Sequence, residues 1–331
     1  MDLKMWGRGH NSMDSIYFLV QQMFFFSIPL LVVALGGMFS ERSGVVNIAL
    51  EGIMIIGAFA GIFFINQVEN VLSGQFLLLL AILISAGAGM VFSLLHAYAA
   101  VNLRADQTIS GTALNMIAPA LSIYAARMLQ ENGVQQIQFT NTFRIDKVPL
   151  LGDIPVLGQL FFQKTYITTY IGIVLLIAAA FVLYKTKFGL RLRACGEHPQ
   201  AADSVGVNVY RIRYAGVMIS GALAGLGGLI FVVPTSTNFN ATVSGYGFLA
   251  LAVLIFGQWK PMRIFLAALF FGLMKTIAAA YSGIPFLKDL KIPSDIYKMI
   301  PFIATLVVLA FSSKNSQAPR AAGVPYDKGG R

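Results

Sequence analysis

Long apolar runs separated by short polar stretches divide this chain almost from end to end. A helix that crosses a bilayer needs about 20 predominantly apolar residues. Runs of that kind lie at residues 16–39, 45–65, 76–100, 108–129, 166–184, 214–233, 246–258, 264–282 and 292–311. Two of them are weak: 45–65 contains Asn47 and Glu51, and 246–258 is too short to cross unless residues 242–245 extend it. The pattern predicts an all-α, polytopic transmembrane helical bundle of about nine spans. Residues 1–15 form a polar N-terminal segment, 16–311 a single transmembrane domain, and 312–331 a disordered cytoplasmic tail, because Pro319, Gly323, Pro325 and a terminal Gly-Gly-Arg break any pattern. The first apolar run has no small-residue cleavage pattern and reads as a true span.

The polar stretches orient the bundle. Residues 185–213 carry Lys185, Lys187, Arg191, Arg193, Arg211 and Arg213 against Glu197 and Asp203, an excess that marks a short cytoplasmic loop. Lys260, Arg263 and the basic tail then fall on the same side. Residues 130–165, nearly balanced in charge, fall outside, where Pro149, Gly152, Pro155 and Gly158 suit a lid of short helical turns rather than strands. Alternation puts the N-terminus outside, although Lys4 and Arg8 fit that side poorly; the alternative is that the 45–65 run is re-entrant and changes the parity. Within the cytoplasmic loop one short helix is legible. Pro199 suits a first helical position, His198 is pushed out of helical geometry by the proline after it, and Gly206 suits the residue past the end. This gives about two turns over 199–205, presented to the cytoplasm.

Composition agrees and narrows the function classes. The 331 residues are 57% hydrophobic and 11% charged, with mean hydropathy +0.73. The net charge of +10 resides in loops beside apolar runs, without aromatic-interleaved basic patches, so no nucleic-acid partner is expected. His10, His96 and His198 are scattered, no metal-ligand spacing or phosphate-binding loop occurs, and no cofactor is expected. The single Cys195, in the cytoplasmic loop, allows no internal disulfide.

Several polar groups interrupt lipid-compatible sequence. In SERSGVVNIALEG, residues 40–52, Asn47 and Glu51 share a helical face, and Gly44 and Gly52 bracket the segment. Two readings stand: a broken helix whose polar residues line a cavity, which is preferred, and a turn near the headgroups. Lys275 either pairs with Glu51 or extends to the outer interface. Asn115 either borders a pathway or joins two helices. Gly57/Gly61 and Gly221/Gly225 read as internal helix packing, and Phe24, Phe25 and Phe26 as lipid-facing.

Taken together, KFGLRLRACGEHPQAADSVG (187–206), the following SGALAGLGGLIF and SERSGVVNIALEGIMIIGAF (40–59) resemble the permease subunits of ATP-binding-cassette importers of the simple-sugar, branched-chain amino-acid and nucleoside group. The 40–59 version is similar to the nucleoside, guanosine-type branch. The likeness covers roughly residues 21–311. It implies a transport subunit without ATPase chemistry of its own, forming half of a translocation path for a small-molecule substrate. The implied partners are a second homologous permease chain, an ATP-binding-cassette ATPase with two nucleotide domains and an extracellular substrate-binding lipoprotein, around a bacterial cell membrane. On the same likeness, Gly189, Glu197, His198, Pro199, Ala201, Ala202 and Gly206 dock on the ATPase, and Ser43, Asn47, Glu51 and Asn115 border the substrate pathway. The alternatives are a simple-sugar substrate, or an ion-gradient-driven transporter or uniporter acting without an ATPase.

Overall fold

A computed structural model describes residues 12–130, 133–280, 293–312 and 318–328. Residues 1–11 of the expected polar segment 1–15, positions 131–132, the span limits at Ser282 and Ile292, and tail positions 313–317 and 329–331 lie outside the described residues. The chain is overwhelmingly helical: α1 (Ser12–Arg42), α2 (Leu50–Val68), α3 (Gly74–Ala97, continued to Asn102 as a wider turn), α4 (Gln107–Leu129), α5 (Ile167–Lys185), α6 (Lys187–Glu197), α7 (Pro199–Ser204), α8 (Val209–Thr235), α9 (Tyr246–Phe256), α10 (Pro261–Ala280) and α11 (Ser294–Ser312). Seven of these are long and apolar enough to cross a membrane among the described residues: α1 to α5, α8 and α10. Of the nine expected crossings, α9 is the exception in kind. Its 11 residues reach about 16 Å, roughly half of a bilayer core.

Over its most apolar 18 residues α8 is 78% buried, and it forms the axis of the bundle. It packs there against α1, α2 and α3 because glycines remove the side chains that would hold backbones apart. A methyl group added at Gly57 of α2 would sit 2.2 Å from the Gly225 Cα, and one at Gly89 of α3 would sit 2.3 Å from the Gly221 carbonyl oxygen. Ser85 clasps this seam, its hydroxyl reaching the carbonyls of both Gly57 and Gly225 at 2.7 Å. The two glycine pairs therefore serve internal packing, as the sequence suggested. In contrast, α4, α5 and α10 are each only 28% buried over the corresponding 18 residues and form the periphery.

At the face away from α6 and α7, the 130–166 segment is not purely helical. β2 (Arg144–Lys147) pairs antiparallel with β3 (Gln163–Tyr166), and β1 (Ile137–Gln138) pairs with β4 (Asn238–Phe239). The expectation of helical turns alone fails here because strands this short leave too little alternation to read. Phe24 and Phe25 of α1 meet Phe161 and Tyr166 at ring-centre distances of 5.5 and 4.8 Å, so they anchor this segment instead of facing lipid.

The tail corrects another expectation. Residues 318–328 are not disordered but lie across the face that carries α6 and α7. Ala321 N–H donates to the Gly196 carbonyl, Gly323 N–H to the Gly44 carbonyl, and the Arg104 guanidinium grips Asp327 through two 2.8 Å bonds. Tyr326, 4% exposed, closes a small core with Cys195, Ala202 and Val209. Proline and glycine suggested disorder, but a handful of contacts suffices to hold the segment.

Candidate functional site

Residues 43–49 connect α1 to α2 in the bundle interior, so every polar backbone group there needs a protein partner. Neighbouring helices supply them. Ser40 donates to the Val45 carbonyl at 2.7 Å; Gln107 accepts from Val46 N–H at 2.7 Å; His96 lies 2.9 Å from the Val46 carbonyl and 2.9 Å from the Ser110 hydroxyl. Asn115 bridges the next stretch, donating to the Ile48 carbonyl at 2.8 Å and accepting from Gly52 N–H at 2.7 Å. Asn47 donates to Ser220 on α8 at 2.9 Å and accepts from Ala49 N–H. Ser43 turns back onto the Ser40 carbonyl at 2.6 Å. Gly44 takes a φ of +97°, and Arg213 fills the space a side chain there would need.

This geometry departs from the cavity-lining expectation. Ser43 and Asn47 are fully buried, Glu51 is 8% exposed, and Asn115 is half-buried with both ends of its amide engaged. The four residues hold an interrupted helix inside protein. Their hydrogen-bonding groups are engaged by the backbone and side chains around them in this structure.

Glu51 has a particular task. Its two carboxyl oxygens accept from Gly245 N–H at 2.9 Å, just before α9, and from Gly247 N–H at 2.6 Å, in its first turn. A helix normally receives this service from its own N-cap residue; here it comes from α2. The contact lies near mid-depth, since adjacent Gly52 meets Leu114 in the third turn of α4 and Met54 meets Gly228 well inside α8. At its other end α9 is anchored by Trp259, whose indole donates to Glu41 at 2.6 Å and whose carbonyl accepts from Arg42. Lys275 neither pairs with Glu51 among the described residues nor extends clear of the protein. Its ammonium stands 5.3 Å from the centre of the Tyr246 ring and 5.5 Å from that of Phe302.

The half of this crossing that α9 leaves uncovered is residues 236–245, of which the sequence offered only 242–245, as an extension of the short run. Burial alternates along it. Phe239, Ala241 and Val243 are 2%, 5% and 0% exposed, while Asn238, Asn240, Thr242 and Ser244 are exposed. The signal was present as polar–apolar alternation in N-F-N-A-T-V-S, too short to displace the longer apolar run after it.

At the opposite face the short helix read at 199–205 exists as α7, Pro199–Ser204. Pro199 occupies its first turn and Gly206 follows with φ +84°. His198, Gln200, Ala201, Ser204 and Gly206 are exposed, and Val205 projects at 77%. Pro199 and Ala202 point inward. Gly189 is buried where α6 turns against α5, a methyl there meeting the Val182 carbonyl oxygen at 2.1 Å, so its lack of a side chain permits the corner. Glu197 lies 3.7 Å from Arg42, tying α6 to the end of α1. Cys195 is wholly buried, and burial pushes its thiol up to about 11.

A polytopic bundle with an interrupted crossing, a half-length helix beginning at mid-depth and a small helix exposed at one face has the build of a membrane transport permease. The sequence matches, over residues 19–309, the family described as branched-chain amino acid transport system / permease component, and the chain belongs to that family. It is 44% identical to the nucleoside ABC transporter permease protein NupC of Lactococcus lactis subsp. cremoris, over 96% of this chain and 99% of that one. It is 46% identical to the guanosine ABC transporter permease protein NupQ of Bacillus subtilis, over 92% and 95%. It is 30% identical to the putative glucose ABC transporter permease protein TsgC13 of Haloferax volcanii, over 88% and 91%. No solved structure matches it. The chain is thus a multi-pass transport subunit, the permease component of an ABC system and not its ATPase.

Proposed function

We propose that this chain is the permease of an ATP-driven importer for nucleosides in a bacterial cell membrane, forming half of the translocation path with a second homologous permease. The observation that carries the substrate class is 44–46% identity, over nearly the whole length, to relatives named for nucleosides and guanosine, against 30% to one named for glucose. The α6–α7 face is cytoplasmic on this reading, in keeping with its excess of Lys and Arg. The N-terminus then lies outside, and nine crossings follow if the 236–256 segment and α11 each traverse the bilayer. An ATPase with two nucleotide domains grips α7 through His198, Gln200, Ala201, Ser204 and Val205. Its closure moves the rigid helices above into alternating access, and an extracellular binding lipoprotein delivers substrate to the 130–166 side.

Co-reconstitution with the ATPase and partner permease in proteoliposomes tests this. ATP-dependent uptake of radiolabelled guanosine, unaffected by excess glucose, is the expected result. Uptake by the chain alone along an ion gradient, or competition by glucose and not by nucleosides, overturns it.

A further inference from the structure

The exposed alternating positions of residues 236–245 have no place in the assignments above. We propose that Asn238, Asn240, Thr242 and Ser244 form the substrate-contacting wall of the outer half of the translocation path; this rests on the permease reading. Three observations meet there. The segment occupies the half of a crossing that α9 is too short to span, running from its pairing with Ile137 and Gln138 down to the Glu51 cap at mid-depth. Its backbone between Asn240 and Val243 belongs to no helix or strand, and irregular backbone at membrane depth persists only where protein buries it or water reaches it. Protein buries one side only. Phe239, Ala241 and Val243 are buried, while Asn238, Asn240, Thr242 and Ser244 are exposed, the Thr242 hydroxyl also accepting from Ser244 N–H at 3.2 Å. Lipid is a poor neighbour for such groups.

The chemistry of the wall selects a class of solute. No residue from Ser236 to Phe248 carries a charge, yet the four exposed side chains all donate and accept hydrogen bonds. Phe248, 52% exposed at the foot of the wall, offers an aromatic face. A neutral solute rich in hydroxyls and carrying a planar ring finds partners here. An anionic phosphate ester meets no cation on this strip.

The test uses the assembled importer with single Thr242→Cys and Ser244→Cys substitutions, and a trimethylammonium-ethyl methanethiosulfonate reagent applied from outside. Native Cys195 is buried and remains silent. Both cysteines should react, with uptake falling at least fivefold, and saturating guanosine should slow the reaction severalfold. Val174→Cys, on the exposed surface of α5, should transport normally after treatment. If Ser244→Cys does not assemble, Asn240→Cys supplies the same readout. Uptake-competent variants that stay unreactive place the strip against another chain or lipid and overturn the wall. Reaction that guanosine leaves unchanged removes its contact with substrate and overturns it equally. Guanosine uptake by the unsubstituted importer, measured in the same preparation, tests the permease reading separately.

Discussion

Glu51 shows how much a single carboxyl group can decide at membrane depth. Because it accepts from two N–H groups at the start of α9, those of Gly245 and Gly247, Glu51→Leu leaves both unsatisfied, a loss of about 3 kcal/mol. Glu51→Gln keeps one acceptor and most of the cap. The leucine variant should therefore unfold several degrees lower in a detergent melt and lose uptake with its assembly, while the glutamine variant transports. Equal melting of the two excludes the capping role. Cys195 gives a second test. With its thiol held near 11 instead of 9, the thiolate fraction at neutral pH drops about 100-fold, and burial blocks access as well. The neutral thiol favours the folded state below pH 9, and that contribution disappears as the pH rises through about 11. Maleimide should thus label Cys195 only after denaturation, even in permeabilised cells; prompt labelling of native protein is the contrary result. The sequence revealed Glu51 as anomalous but not its partner, since the donors lie 194 and 196 residues away.

At the scale of elements, α7 was legible almost to the residue, because Pro199 and Gly206 are local signals that fix a helix start and stop without tertiary help. Which side chains face a partner was not legible, as that depends on how Tyr326 covers one side. The two neighbouring alanines now separate. Ala201→Arg places charge on the exposed side and should abolish stimulation of the ATPase while assembly is normal. Ala202→Arg forces a cation into the cluster with Cys195, Val209 and Tyr326 and should instead lower stability by about 3 kcal/mol or more. Thermal melts and ATPase assays on both variants check this, and identical behaviour removes the distinction. The interrupted helix at residues 40–52 was visible as polar residues in an apolar run. That it is wrapped by His96, Gln107 and Asn115 was not, because those partners come from α3 and α4.

For the whole molecule, the charge distribution predicted which loops share a face, and the helices connect accordingly. Leu157→Cys, 51% exposed in the 130–166 segment, should react with impermeant maleimide on intact cells, whereas exposed Ser204→Cys on α7 should react only after permeabilisation. Reversed labelling inverts the topology. The half-length α9 also governs how the bundle is made. Eleven apolar residues preceded by a polar strip have too little hydrophobicity to leave the insertion machinery for lipid by themselves. The helices on either side, α8 and α10, must enter first and carry α9 between them. Its leading N–H groups then wait for α2, synthesised almost two hundred residues earlier, to bring Glu51 into place. Completion of the bundle's centre is therefore a late event in biogenesis, and a chain arrested before α10 leaves the ribosome holds every earlier crossing but not this one.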